Sequence, residues 1–151
     1  MSGKIYVTGT SKERERVRAA MAAVKKLGLE ITHDWLAEIE QDGVAGAVNE
    51  ALDDEKRRRY SRADLDAVRR ADWFWLLAPR ESPSSGCWVE LGYALALADR
   101  SVENRDRHWK PWPRIIVSGP GRMKSIFASF AEEEFDDDVL ALGYLAQGKS
   151  G

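Results

Sequence analysis

Short apolar runs alternate along the chain with longer stretches in which apolar residues recur every three or four positions. KIYVTGT (4–10) is a β-branched and aromatic run closed by a glycine turn, and it predicts a strand. Thr10, with Glu13 three residues on, has the pattern of a capping box and predicts a helix start. Val17, Met21, Val24 and Leu27 then recur at helical spacing up to Gly28, the expected stop. LEIT (29–32) reads as a second strand, and the polar region after it has weak helical patterning over 44–52.

Leu65, Val68 and Ala71 form the apolar stripe of a helix over 60–72, which runs directly into WFWLLAP (73–79). That near-continuous apolar run predicts a strand covered by helices on both faces. PSSGCWVELGYALALA (83–98) begins as a turn and continues as a helix, and RIIVSG (114–119) predicts the next strand. Met123, Ile126, Phe127 and Phe130 read as another helical stripe, and a last helix is expected over 137–146, before a flexible tail at 147–151. The basic run at 56–59 and the acidic run at 132–138 read as solvated faces.

This alternation predicts an α/β fold: a doubly wound, flavodoxin- or Rossmann-like, mostly parallel five-stranded sheet with helices on both faces, built by residues 1–151 as a single domain. Ligands of such sheets bind at the carboxyl ends of the strands, where the loops at 9–11, 80–86 and 118–122 are expected to gather. Segment 101–114 interrupts the layout, and its second part, 107–114, with basic and aromatic residues interleaved, reads as a dimer contact or a loop cover.

Composition removes several function classes. Apolar residues make up 44% and charged ones 32%, and the formal charge of -2 argues against a nucleic-acid partner held by bulk electrostatics. Cys87 is the single cysteine and no Cys/His cluster has the spacing of a zinc site, so neither metal nor cofactor is expected. No stretch has the apolar length of a signal peptide or a membrane span, which points to a cytoplasmic protein without a membrane partner.

Within 83–98, Glu90 is a lone carboxylate among small and apolar neighbours, near the second turn of a helix that starts at the ligand-facing edge. Burial raises the pKa of such a carboxyl while the helix N-terminus favours its ionised form, a balance that suits a nucleophile or a base. The same spacing also suits a glutamate on the solvated side of the helix. Asp64, one turn from both Tyr60 and Val68 at the edge of an apolar stripe, leaves the same two readings open. Trp35, after the second strand, either stacks on a base or packs in the core, and Tyr60 is a candidate for the same substrate pocket.

IYVTGT near the start, ADLDAVRRAD leading into an apolar strand, and SSGCWVELGYALALA after it, in that order, resemble the nucleoside 2-deoxyribosyltransferase superfamily, which includes the nucleoside 5'-monophosphate N-glycosidases. The likeness runs from about residue 4 to residue 145, and the motif Gly-x-x-x-Glu-x-Gly-x-Ala falls on Gly86, Glu90, Gly92 and Ala94. The resemblance implies that Glu90 is the nucleophile that attacks the anomeric carbon and that Asp64 orients or protonates the reacting groups. Thr8, Gly9 and Thr10 correspond to the loop that approaches the nucleotide. Ser84 stands where transferases acting on free nucleosides usually carry an aspartate. A carboxylate there would repel a phosphate, whereas Ser84, Ser85 and the N–H groups near Gly86 at a helix N-terminus would accept one, unless Ser84 merely caps the helix.

Ser125 resembles a serine that reaches the phosphate from the neighbouring subunit, which implies a homodimer with shared active sites. The implied function is cleavage of the base–sugar bond of (deoxy)nucleoside 5'-monophosphates, with a small-molecule nucleotide as partner. The alternatives are base exchange on free deoxynucleosides, with NAD cleavage as a more distant use of the same chemistry, and a non-catalytic nucleotide-binding or sensor module.

Overall fold

The computed structural model describes residues 3–81, 84–103 and 112–148, so most of segment 101–114 and its expected contact role lie outside the described residues. The strands β1 (Lys4–Thr8), β2 (Glu30–Ile31), β3 (Trp73–Leu77), β4 (Arg114–Ser118) and β5 (Glu133–Phe135) pair in parallel in the order β2-β1-β3-β4-β5. The helices are α1 (Arg14–Lys26), α2 (Trp35–Gln41), α3 (Asp54–Arg70), α4 (Gly86–Glu103) and α5 (Asp138–Gly148).

Strand side chains alternate between the two faces of the sheet. Ile5, Val7, Trp75 and Ile116 therefore meet Val17, Met21 and Val24 of α1 and Ala141 and Leu145 of α5. Tyr6, Phe74, Leu76 and Val117 meet Ala67 and Val68 of α3 and Leu91 and Ala94 of α4 on the opposite face. Trp75 and Phe74 are fully buried, one on each face, which is why β3 carries no polar residue. Each large apolar side chain taken from water in this way contributes roughly 1.5–3 kcal/mol.

From β1 the chain winds first to β2 on one side and then, through α3, to β3 on the other. A crevice opens at that reversal, beyond the carboxyl ends of β1 and β3. The α/β winding is as expected, with every observed strand pair parallel.

Several local expectations are corrected. Glu13 forms no capping box: Thr10 Oγ1 accepts the N–H of Lys12, a 3-10 turn spans Ser11–Glu13, and the Glu13 carboxylate turns instead to Arg16 and to the backbone N–H of Arg80. The second strand shrinks to two residues, and 44–52 holds only a 3-10 turn, Asn49–Ala51. The stripe Met123, Ile126, Phe127 and Phe130 lies on two 3-10 turns, Pro120–Lys124 and Ile126–Phe130, divided by Ser125, whose extended backbone breaks the helix and whose hydroxyl accepts the N–H of Phe127. These four residues are 57–79% exposed and supply no core. The acidic run, read as a solvated face, contains β5, which adds to the sheet edge through its backbone while its glutamates stay in water. Of the flexible tail expected at 147–151, residues 147 and 148 belong to α5, and the rest lies outside the described residues.

Candidate active site

At the β1–β3 reversal lies a cavity of about 340 Å³. Thr8, Gly9 and Thr10 form one wall on the β1–α1 turn; Ser84, Ser85 and Gly86 form another at the start of α4; Asp64 and Tyr60 of α3, Trp35 of α2 and Glu90 of α4 complete it. Ten of the eleven residues singled out by sequence thus converge on one space. Ser125, the eleventh, does not line the cavity of its own chain and caps the 3-10 turn that follows it.

The register of β1 and the phases of α3 and α4 explain the convergence. Tyr6 points to the α3–α4 face, beside Phe74 on the neighbouring strand. Asp64 is one turn before the buried Val68, and Glu90 is one turn before the buried Ala94, so both carboxyls face inward. Glu90 is only 9% exposed, which rules out the solvated-face reading.

Among the described residues, four buried side-chain polar atoms have no hydrogen-bond partner: Tyr6 OH, His33 Nε2, Asp64 Oδ1 and Glu90 Oε2. They belong to one cluster. His33 Nε2 lies 3.7 Å from Asp64 Oδ1 and 3.7 Å from Glu38 Oε2, and the Tyr6 hydroxyl acts on both Glu90 and Asp64 without completing a hydrogen bond to either. Leaving a buried polar group unsatisfied costs about 1–3 kcal/mol, so a fold that gathers four of them, with Asp64 and Glu90 on the cavity wall, is arranged to receive polar ligand atoms.

Burial pushes the Glu90 carboxyl up to about 8, with the Asp64 charge adding to the rise and the Tyr6 and Thr8 hydroxyls opposing it. Burial likewise raises Asp64 to about 7, opposed by Tyr6 and assisted by the Glu38 charge. The two carboxyls titrate as an interacting pair that keeps a proton through neutrality. Burial first, then the two carboxylates, raise Tyr6 well above the usual phenol range, so its hydroxyl is a permanent donor. A pair that shares one proton can supply a nucleophile and an acid at the same time.

The remaining walls are fixed by packing. The Trp35 indole N–H donates to the Val7 carbonyl at 2.9 Å, which sets its ring against the cavity, and the Tyr60 hydroxyl donates to Asp42 at 2.6 Å. A side chain on Gly9 would press within 3.2 Å of Val17 and 3.3 Å of Leu77, so this glycine lets the turn sit on α1 and β3. The Cys87 thiol donates to Ser84 Oγ at 3.7 Å, and burial pushes it up to about 11, so it stays protonated and is no nucleophile. No group of three His, Cys, Asp or Glu side chains suited to a metal occurs among the described residues. None of the described helices is long and apolar enough to cross a membrane.

Tyr6, His33 and Lys12 were not among the expected site residues. Lys12 lines the cavity, yet a lysine on a turn carries no sequence signal. Tyr6 had one: its hydroxyl stands between Ile5 and Val7 in a strand buried from residue 5 to residue 8.

No protein-family model matches the chain, and no curated protein matches it in sequence. Among solved structures, the CMP N-glycosidase BcmB of Clostridium botulinum is similar, with a TM-score of 0.53 and 14% identity over 95% of this chain and 98% of that one. At that identity the likeness is one of fold: the two chains share an α/β architecture along nearly their whole lengths.

Proposed function

We propose that this chain is an N-glycosidase that hydrolyses the base–sugar bond of (deoxy)nucleoside 5'-monophosphates, with Glu90 as nucleophile. The observation that carries this reading is the convergence of buried, unpartnered Glu90 and Asp64 oxygens on one cavity, with the Tyr6 hydroxyl facing both. The shared fold of a CMP N-glycosidase supports it, as do the pattern Gly86, Glu90, Gly92 and Ala94 and the serine at position 84.

In the first step the ionised Glu90 carboxylate bonds to C1' of the sugar, the glycosidic bond breaks with its electron pair going to the base, and Asp64 protonates the base directly or through water. Burial makes a charge on Glu90 costly in the empty site, and the positive charge that develops on the sugar offsets that cost in the transition state. In the second step Asp64 takes a proton from water, the water oxygen bonds to C1', and the ester to Glu90 breaks to give sugar phosphate and free enzyme. The 5'-phosphate is received by the Ser84 and Ser85 hydroxyls, the amides at the N-terminus of α4 and the Lys12 ammonium, with Thr8, Gly9 and Thr10 closing the turn over the nucleotide. Trp35 and Tyr60 flank the base.

A second copy of the chain belongs to this reading. Ser125 adjoins exposed Ile126 and Phe127, beside an apolar groove of about 660 Å³ lined by Leu95, Phe127 and Phe130; we assign this face to the second copy, and the reach of Ser125 to the other subunit's phosphate rests on the family resemblance.

The test is incubation of the purified protein with a panel of nucleoside monophosphates and the matching free nucleosides. The expected result is free base and sugar phosphate from at least one monophosphate, with little or no turnover of its nucleoside. Base exchange between free deoxynucleosides, with the monophosphates untouched, would replace this reading by a transferase.

A further inference from the structure

The β1–α1 turn and the β3–α4 loop, which form the turn side of the cavity, are joined from behind by a single arginine. Arg16 of α1 is 12% exposed and uses all five of its N–H groups. Nε donates to Asp138 Oδ2 (2.7 Å), Nη2 to Asp138 Oδ1 (2.9 Å) and the Ser118 carbonyl (3.2 Å), and Nη1 to Glu13 Oε1 (2.9 Å) and the Ala78 carbonyl (2.7 Å). The Ser118 hydroxyl donates to Asp138 at 2.6 Å and accepts the Trp75 indole N–H at 2.9 Å, which anchors the arginine to the core of β3 and β4.

The chain of contacts does not stop at the sheet. Glu13 spends its second oxygen on the backbone N–H of Arg80 (2.9 Å), while Lys124 donates to the Arg80 carbonyl. Gly121 packs so tightly on the same loop that a side chain there would lie 2.0 Å from the Pro79 carbonyl oxygen. Residues 78–80 are therefore held on several sides, four residues before Ser84, while Glu13 itself closes the turn that bears Thr10 and Lys12. Neither Arg16 nor Glu13 lines the cavity.

We propose that Arg16 and Glu13 are positioning residues that preset the distance between the β1–α1 turn and the β3–α4 loop, and so the fit of the cavity to the phosphate of a nucleotide. This inference rests on the nucleotide reading above. An arginine that only stapled α1 to the sheet would need the carbonyls and Asp138; the extension through Glu13 adds a tie to the Arg80 amide, on the loop four residues before Ser84 of the cavity wall. A hydrogen bond from a backbone amide to a carboxylate is among the stronger neutral-to-charged contacts, and it fixes the loop before ligand arrives.

The Glu13 variants carry the test, because replacing Arg16 would leave the half-buried Asp138 with only the Ser118 hydroxyl and put folding itself at stake. Amide hydrogen exchange and calorimetric titration with one nucleoside monophosphate and its free nucleoside are measured for wild type, Glu13→Ala and Glu13→Gln. In Glu13→Ala, exchange at the Arg80 amide is expected to rise about tenfold with β3 unchanged, and affinity for the monophosphate to fall about tenfold while that for the nucleoside is unchanged. Glu13→Gln keeps an oxygen for the Arg80 N–H and is expected to restore most of both. An unchanged ratio of monophosphate to nucleoside affinity across the three proteins, or an equal loss for both ligands, would overturn the positioning role. Wild-type protein that binds neither ligand would overturn the nucleotide reading and this one with it, and the exchange data would still show whether Glu13 holds the loop.

Discussion

Glu90 shows how a single side chain can be visible in a sequence while its state is not. Its neighbours mark it as unusual, yet helical periodicity states only which residues share a face, and both a solvated and a buried glutamate fit the spacing. Burial is decided by what packs against the face, here Tyr6 and Asp64, which are remote in sequence. The consequence is measurable as a dependence of stability on pH. Glu90 ionises near 4.5 when exposed and at about 8 when folded, so between these values the folded state holds a proton that the unfolded state has lost. Stability contributed by the protonated carboxyl is complete below pH 4.5 and is lost as pH rises toward 8. Glu90→Gln lacks this titration. Its advantage over wild type in thermal denaturation should grow across that window to the order of 2 kcal/mol, or several degrees in Tm. An offset that stays constant with pH would show that Glu90 is not held protonated by the fold.

Among the elements, those defined by one strong local signal were legible. The buried alternation of β1, the all-apolar β3 and the stripes of α1 and α3 each state their own structure, because their packing partners lie on both sides. Two of the misread elements show the physical reason. β5 adds to the sheet through backbone bonds at an edge, where side chains need not be apolar, so Glu133 and Glu134 hide it. Met123, Ile126, Phe127 and Phe130 have helical spacing without a helix, and their exposure of 57–79% asks for a partner rather than a core. The chain is therefore expected to sediment as a dimer at micromolar concentration, and Phe130→Glu to shift it to monomer without loss of helical signal. A wild-type monomer under these conditions would remove Ser125 from any shared site.

At the scale of the whole molecule, the alternation of strands and helices was enough to state the winding, and the winding alone places the ligand crevice at the β1–β3 reversal. The composition of that crevice was also largely readable, since the residues at the ends of β1 and at the start of α4 are contiguous in sequence. What escaped was whatever depends on tertiary contacts: Tyr6 through strand phase, Lys12 through a turn, and, behind the cavity, Arg16 through a guanidinium that bonds the carbonyls of Ala78 and Ser118. Across these scales, the parallel sheet brings Glu90 and Asp64 from separate helices to one cavity. The most direct test is the rate of free-base release from a nucleoside monophosphate by wild type and by Glu90→Gln, compared at equal protein concentration and near pH 7. Release by wild type and a fall of about 10³-fold or more in the variant is the predicted result; equal rates in the two proteins, or no release by wild type from any monophosphate, would contradict the account.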